Sequence, residues 1–128
     1  CVDNYNRTAL HYSCMNGHVF GCVLLTNLGI NCDIQDMFGA TALCYAAAST
    51  IKGNQSTSHE IVALLLARGS YPKIRDIYGR QALHYAAECG NDTVLTILLE
   101  NGSEVNAVDH SGQTALDIIE THLEEYQQ

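Results

Sequence analysis

An aspartate recurs at positions 3, 36, 76 and 109, and four residues after each one the chain repeats a short phrase: Arg7-Thr8-Ala9-Leu10-His11-Tyr12, Ala40-Thr41-Ala42-Leu43-Cys44-Tyr45, Arg80-Gln81-Ala82-Leu83-His84-Tyr85 and Gln113-Thr114-Ala115-Leu116-Asp117. The aspartates are 33, 40 and 33 residues apart. A period near that length defines a chain built from copies of one supersecondary unit, each burying its apolar face only against its neighbours.

The third copy, Asp76 to Val108, is the most regular. In the first, Thr8-Ala9-Leu10-His11-Tyr12 is followed by Gly17-His18, Val23-Leu24-Leu25 and Gly29. This pattern resembles the ankyrin repeat over nearly the whole chain. One departure is constant: Ala9, Ala42, Ala82 and Ala115 stand where the family usually has proline. Proline in a first helical turn is favourable but dispensable, because its missing N–H would have no intrahelical partner. The resemblance implies an all-α solenoid of stacked helix-turn-helix pairs joined by β-hairpin-like fingers.

The repeats run over about 3–35, 36–75, 76–108 and a partial 109–128, in a single domain. Thr8 is expected to cap a short helix through Met15 that ends at Asn16-Gly17, and a second helix carries Val19 to Leu25. The second repeat has seven extra residues: Leu43 to Gly69 spans 26 positions, against 19 from Leu10 to Gly29 and from Leu83 to Gly102. The excess lies near 50–56, in a polar, turn-forming stretch between the two helices. Ser58 is the expected cap of the next helix, with Glu60 in its first turn and Ile61, Val62, Leu64, Leu65 and Leu66 facing inward. In the last copy a helix is expected from Thr114 to about Thr121, with His122–Gln128 as a polar cap or frayed end. No polar capping helix precedes Asp3, so the chain reads as an excerpt of a longer protein with further repeats or another domain.

The net charge of −8 is unevenly placed. Residues 86–128 hold nine acidic residues and no Lys or Arg, whereas residues 1–85 hold five acidic and six basic. An acidic end of this kind repels phosphate backbones, which argues against nucleic acid and for a protein partner with a basic patch. No apolar run approaches the ~20 residues of a membrane span, so direct membrane insertion is not expected. The six cysteines form no Cys-x-x-Cys pair and read as reduced thiols of an intracellular protein, cytoplasmic or nuclear.

Chemistry has little foothold. His11 and His84 share one repeat slot, and a catalytic residue has no reason to recur in every repeat. Cys14 and His18 have a four-residue spacing that suits metal ligands, but Asn16-Gly17 breaks the helix between them. No phosphate-binding glycine motif or nucleophile motif is present, so neither catalysis nor a cofactor is expected. Tyr12, Tyr45 and Tyr85 share an inner-helix slot, where they are expected to stack repeat on repeat with their hydroxyls in water.

Tyr5, Phe38 and Tyr78 share a finger slot two residues after the aspartate. Aromatic side chains at such tips suggest a contact surface, since aromatic anchors are enriched in interface hot spots; finger-to-finger packing is the other reading. The resemblance implies a protein–protein interaction module whose concave face comprises Asn4, Tyr5, Arg7, Met15, Asn16, Met37, Phe38, Ile77, Tyr78, Arg80, Glu88, Cys89, His110, Ser111 and Gln113. The alternative it allows is a regulatory or assembly segment of a larger enzyme, channel or transferase. Asn106 is similar to the finger asparagine that some members present for hydroxylation.

Overall fold

The structure, a computed structural model, describes residues 7–48 and 55–126. Among these residues seven helices follow in order: α1 Ala9–Met15, α2 Val19–Asn27, α3 Ala42–Ala48, α4 Gln55–Ala67, α5 Ala82–Cys89, α6 Asp92–Glu100 and α7 Ala115–Tyr126. They form two layers. The inner layer stacks α1 on α3, α3 on α5 and α5 on α7, and the outer layer stacks α2 on α4 and α4 on α6. Within a repeat the two helices pack as a pair, α1 with α2, α3 with α4 and α5 with α6.

The repeated phrase builds the inner layer. Thr8 caps α1, its Oγ1 accepting from the His11 N–H while His11 Nδ1 accepts from the Thr8 N–H, so two end groups of the helix are satisfied reciprocally. In α5 only the histidine half recurs, His84 Nδ1 accepting from the Gln81 N–H at 3.1 Å, while the Gln81 side-chain oxygen makes no matching bond. The leucine of the phrase is the central packing residue: Leu10, Leu43 and Leu83 are each 1% exposed. Burial of such a side chain contributes about 1.5–3 kcal/mol. Ala46, Ala47, Ala86 and Ala87 are buried beside them, and these small residues let successive inner helices approach. Leu116 holds the same slot in α7 yet is 53% exposed, because among the described residues no outer helix follows to cover it.

Two expectations need correction. Ser58 does not cap α4. The helix begins three residues earlier at Gln55, so Ser58 lies inside it, buried, and Glu60 falls in the second turn. Gln55-Ser56-Thr57 carries no glycine or proline, and the helix absorbs this end of the insertion; residues 49–54 lie outside the described residues. The inward set holds, with Ile61, Val62 and Leu65 fully buried and Leu64 and Leu66 packed against them. The second correction is α7, which runs on to Tyr126 instead of stopping at Thr121. Nothing equivalent to Asn16-Gly17 or Gly90 interrupts it, and Thr114 and Asp117 bond each other's backbone N–H at its start.

The fingers are turns, and no strand forms among the described residues. In each, the aspartate N–H bonds the carbonyl four residues on, to Ala40, Arg80 and Gln113 at 2.9–3.0 Å. Its Oδ1 then accepts the N–H groups two and four residues ahead. This side-chain mimicry of a backbone turn is what aspartate does well. Neighbouring fingers are joined through the main chain: Ile77 N–H donates to the Phe38 carbonyl and His110 N–H to that of Tyr78, both at 2.9 Å. The close approach requires glycine at the turn. Gly39 and Gly79 have φ of +75° and +74°, and a Cβ on either would lie within about 3 Å of the next finger's backbone.

Candidate interaction face

The inner helices and finger turns together line one side of the molecule with a row of hollows. The first, about 280 Å³, lies between the second and third repeats and is lined by Phe38, Ala40, Cys44, Tyr45, Ala48, Asp76, Tyr78 and Tyr85. A second, about 340 Å³, lies against Tyr78, Arg80, Tyr85, Asp109 and Ser111, and a third, about 200 Å³, against Arg80, Glu88, Gln113, Ile118 and Thr121. The lining changes from aromatic to charged toward the acidic end of the chain.

The hydroxyls of Tyr45 and Tyr85 do not reach for water as expected. Tyr45 donates to Oδ2 of Asp36 and Tyr85 to Oδ2 of Asp76. Burial and the neighbouring carboxylate both favour the neutral phenol, so Tyr45 is pushed up to about 12 and Tyr85 is raised further. Asp36, Asp76 and Asp109 therefore each use one oxygen to fix their own turn. The other oxygen of Asp36 and Asp76 anchors the tyrosine of the inner helix behind.

Two of the register aspartates also meet an arginine from the preceding repeat. Arg7 Nε lies 3.6 Å from Oδ2 of Asp36, with its guanidinium over the rings of Phe38 at 5.9 Å and Tyr45 at 5.6 Å. Arg80 Nε lies 3.5 Å from Oδ2 of Asp109, its guanidinium 5.5 Å from the Tyr85 ring, and it also pairs with Glu88. Burial would raise the Asp109 carboxyl, but the N–H groups of Gln113 and Ser111, with His84 and Arg80 nearby, hold it below the usual carboxylate range.

The histidines work as ties. His11 Nε2 bonds the Ala40 carbonyl at 3.1 Å, and His84 Nε2 bonds those of Ala107 and Gln113 at 3.1 and 3.2 Å. Cys44 occupies their slot in the second repeat and makes no such reach; its thiol accepts from Thr41 within its own helix start. The described cysteines are free thiols, and burial pushes Cys44 and Cys89 up; Cys14 is raised by its contact with Cys22 at 3.6 Å and by burial. Among the described residues no three His, Cys, Asp or Glu side chains cluster as metal ligands.

Of the residues expected to make contact, Asn4 and Tyr5 lie outside the described residues. Met37, Ile77, Tyr78, Glu88, His110 and Ser111 are exposed along the face, as is Asn16, and Met15 and Gln113 are half-buried. Phe38 is half-buried beneath Arg7, and both arginines are engaged internally. Cys89 turns inward, its thiol donating to the Ala48 carbonyl of the preceding inner helix at 3.4 Å. Asn106 is exposed on its finger. The hollow between the second and third repeats was missed from sequence, although Ala40 and Cys44 departing from their slots was a signal for it.

Stacked helix pairs with a one-sided, finger-edged face define a repeat solenoid that binds other proteins. The chain belongs to the ankyrin repeat family: a profile of ankyrin repeats in three copies matches residues 1–76 and 23–109. It is 33% identical over 118 residues to the NF-kappa-B inhibitor cactus of Drosophila yakuba, covering 91% of this chain and 22% of that protein. It is 30% identical over 122 residues to the E3 ubiquitin-protein ligase KEG of Arabidopsis thaliana, covering 91% of this chain and 7% of that one. It is also 33% identical over 110 residues to the putative ankyrin repeat protein FPV223 of Fowlpox virus, covering 86% and 72%. The chain thus spans less than a quarter of the length of the first two of these relatives.

Proposed function

We propose that the chain is a non-catalytic module that holds a segment of another protein against the finger turns and inner helices, acting inside the cell, where its thiols stay reduced. The observation that carries this reading is the exposure of Met37, Ile77 and Tyr78 on turns fixed by main-chain and aspartate hydrogen bonds. These side chains are not needed to hold the fingers in place, and because the turns are already ordered, binding loses little conformational entropy. The excess of acid beyond residue 85 favours a partner segment with basic character. The relative named as an inhibitor of NF-kappa-B supports a module that acts by occupying a partner.

The test is capture of partners with the chain, followed by affinity measurement on the purified pair. Ile77→Ala and Tyr78→Ala should each weaken binding roughly 5- to 30-fold, the range of a moderate hot spot, with little change in stability. Thr96→Ala, on the outer helix α6, should leave affinity unchanged. If the outer-helix substitution weakens binding and the finger substitutions do not, the face is wrongly chosen.

A second reading has its own support. The match covers only 7% of a relative named as a ubiquitin ligase, so repeats of this kind occur within a larger enzyme. Here the same face would hold another part of the parent chain, and the full reading frame decides between the two.

A further inference from the structure

The four repeated phrases begin with Arg7, Ala40, Arg80 and Gln113. The two arginines pair alike, although Arg7 stacks on Tyr45 of the next repeat and Arg80 on Tyr85 of its own. Each reaches forward to the aspartate of the next repeat and lays its guanidinium over an inner-helix tyrosine. In the second repeat Ala40 holds the slot, and its target, Asp76, has no Lys or Arg within 4.0 Å among the described residues. The carboxylate is nevertheless buried, 7% exposed as a residue, with Oδ1 taken by two backbone N–H groups and Oδ2 by the Tyr85 hydroxyl. Asp36 has the same set of bonds and still accepts Arg7, so Asp76 keeps capacity for a cation.

The missing side chain leaves a space. The 280 Å³ hollow is lined by Ala40, Cys44, Tyr45 and Tyr85, by the exposed Tyr78 and by the buried Asp76. Cys44 enlarges it, since the histidine of the other copies would project from that slot toward the next repeat. A buried carboxylate beside aromatic rings favours a delocalised, weakly hydrated cation that stacks on the rings and presents N–H donors.

We propose that this hollow receives the guanidinium of an arginine side chain from a partner protein, which takes the place in the second repeat that Arg7 and Arg80 fill in the first and third. The proposal rests on the binding face described above and names the side chain that enters it. Arginine is preferred over lysine because a planar fork serves the ring and the carboxylate at once, as both internal examples do.

The test uses the intact chain and acetyl-arginine methylamide as the probe, followed by backbone amide chemical shifts. Saturable shifts are expected around Asp76, Tyr78 and Tyr85. The citrulline counterpart, equal in shape but uncharged, should bind at least about fivefold more weakly, as loss of a charge stacked on a ring and paired with a carboxylate requires. Ala40→Arg fills the hollow from within and should abolish the response; if that variant does not fold, Tyr78→Ala, at an exposed rim position, should weaken it instead. An equal response to citrulline, shifts that persist in a folded Ala40→Arg, or no saturable shift in the unaltered chain would each overturn the proposal. Lys52 lies outside the described residues, so Lys52→Ala is run in parallel; equal binding supports the proposal, and binding only in that variant refutes it. A captured partner that keeps its affinity for Ala40→Arg but loses it for Ile77→Ala would retain the face while removing arginine from the hollow.

Discussion

The hydroxyl of Tyr85 donates to Oδ2 of Asp76, nine residues earlier in the chain, and the same interval joins Tyr45 to Asp36. The bond locks a finger turn to the inner helix behind it. The two parts of a repeat on which the proposed face depends are thus held as one piece.

Replacing Tyr85 by Phe keeps the ring and deletes the bond. The substitution should cost about 1–2 kcal/mol in denaturant unfolding, in the range for a hydrogen bond to a charged acceptor at a half-buried site. Tyr71→Phe, at an exposed position, should change stability by less than about 0.5 kcal/mol. Equal effects from the two would mean that the Asp76 contact contributes nothing.

The same bonds predict an order of ionisation. The raised phenols of Tyr45, about 12, and of Tyr85, higher still, bind protons in the folded chain after an unfolded tyrosine would have lost them. Their contribution to stability is therefore complete below an ordinary tyrosine value of about 10 and falls away as pH climbs through 12. Phenolate absorbance followed on alkaline titration should show a late-ionising fraction that persists until unfolding, and Tyr45→Phe should reduce it.

Gly39→Ala and Gly79→Ala should destabilise more than Gly29→Ala. All three positions have positive φ and share the backbone penalty of roughly 1–2 kcal/mol. At Gly29 a Cβ would meet open space, whereas at Gly39 it would lie 3.0 Å from the Asp76 Cα and at Gly79 3.0 Å from the His110 nitrogen. The added clash would push neighbouring fingers apart and break the bonds at Ile77 and His110. Equal unfolding energies for the three variants would contradict the finger-to-finger contact.

Cys44→His should stabilise the chain. In the first and third repeats the histidine accepts from its own cap N–H and reaches a carbonyl of the next repeat, and the hollow beside Cys44 gives the ring room. A gain of roughly 1 kcal/mol is expected from the added hydrogen bonds, read as a higher denaturant midpoint. A lower midpoint would show that the second repeat cannot present that carbonyl.

The spacing of the aspartates and the recurring Thr-Ala-Leu-His phrase made the helix pairs, their order and the buried Leu10, Leu43 and Leu83 legible without coordinates. What failed was local composition read without context. Gln55-Ser56-Thr57 reads as loop by polarity but extends α4, and the acidic stretch after Thr121, read as a polar cap or frayed end, continues α7 as far as Tyr126. Both contain residues a helix tolerates, and neither contains a breaker. Side-chain partners across repeats were harder still. The aspartates stood out as markers of phase, yet that they hold Tyr45 and Tyr85 depends on how a turn folds back on a helix nine residues later. Of the finger tips, Met37, Ile77 and Tyr78 are exposed, whereas Phe38 is half-buried beneath Arg7.

Two of the contacts between adjacent fingers run from amide to carbonyl, at Ile77 to Phe38 and at His110 to Tyr78. Such a splice is indifferent to the identity of the residues it joins, provided glycine follows in the turn. The exposed tip side chains of Met37, Ile77 and Tyr78 are thereby released from the splice, and substitution there can retune what is recognised without renegotiating how the solenoid stands.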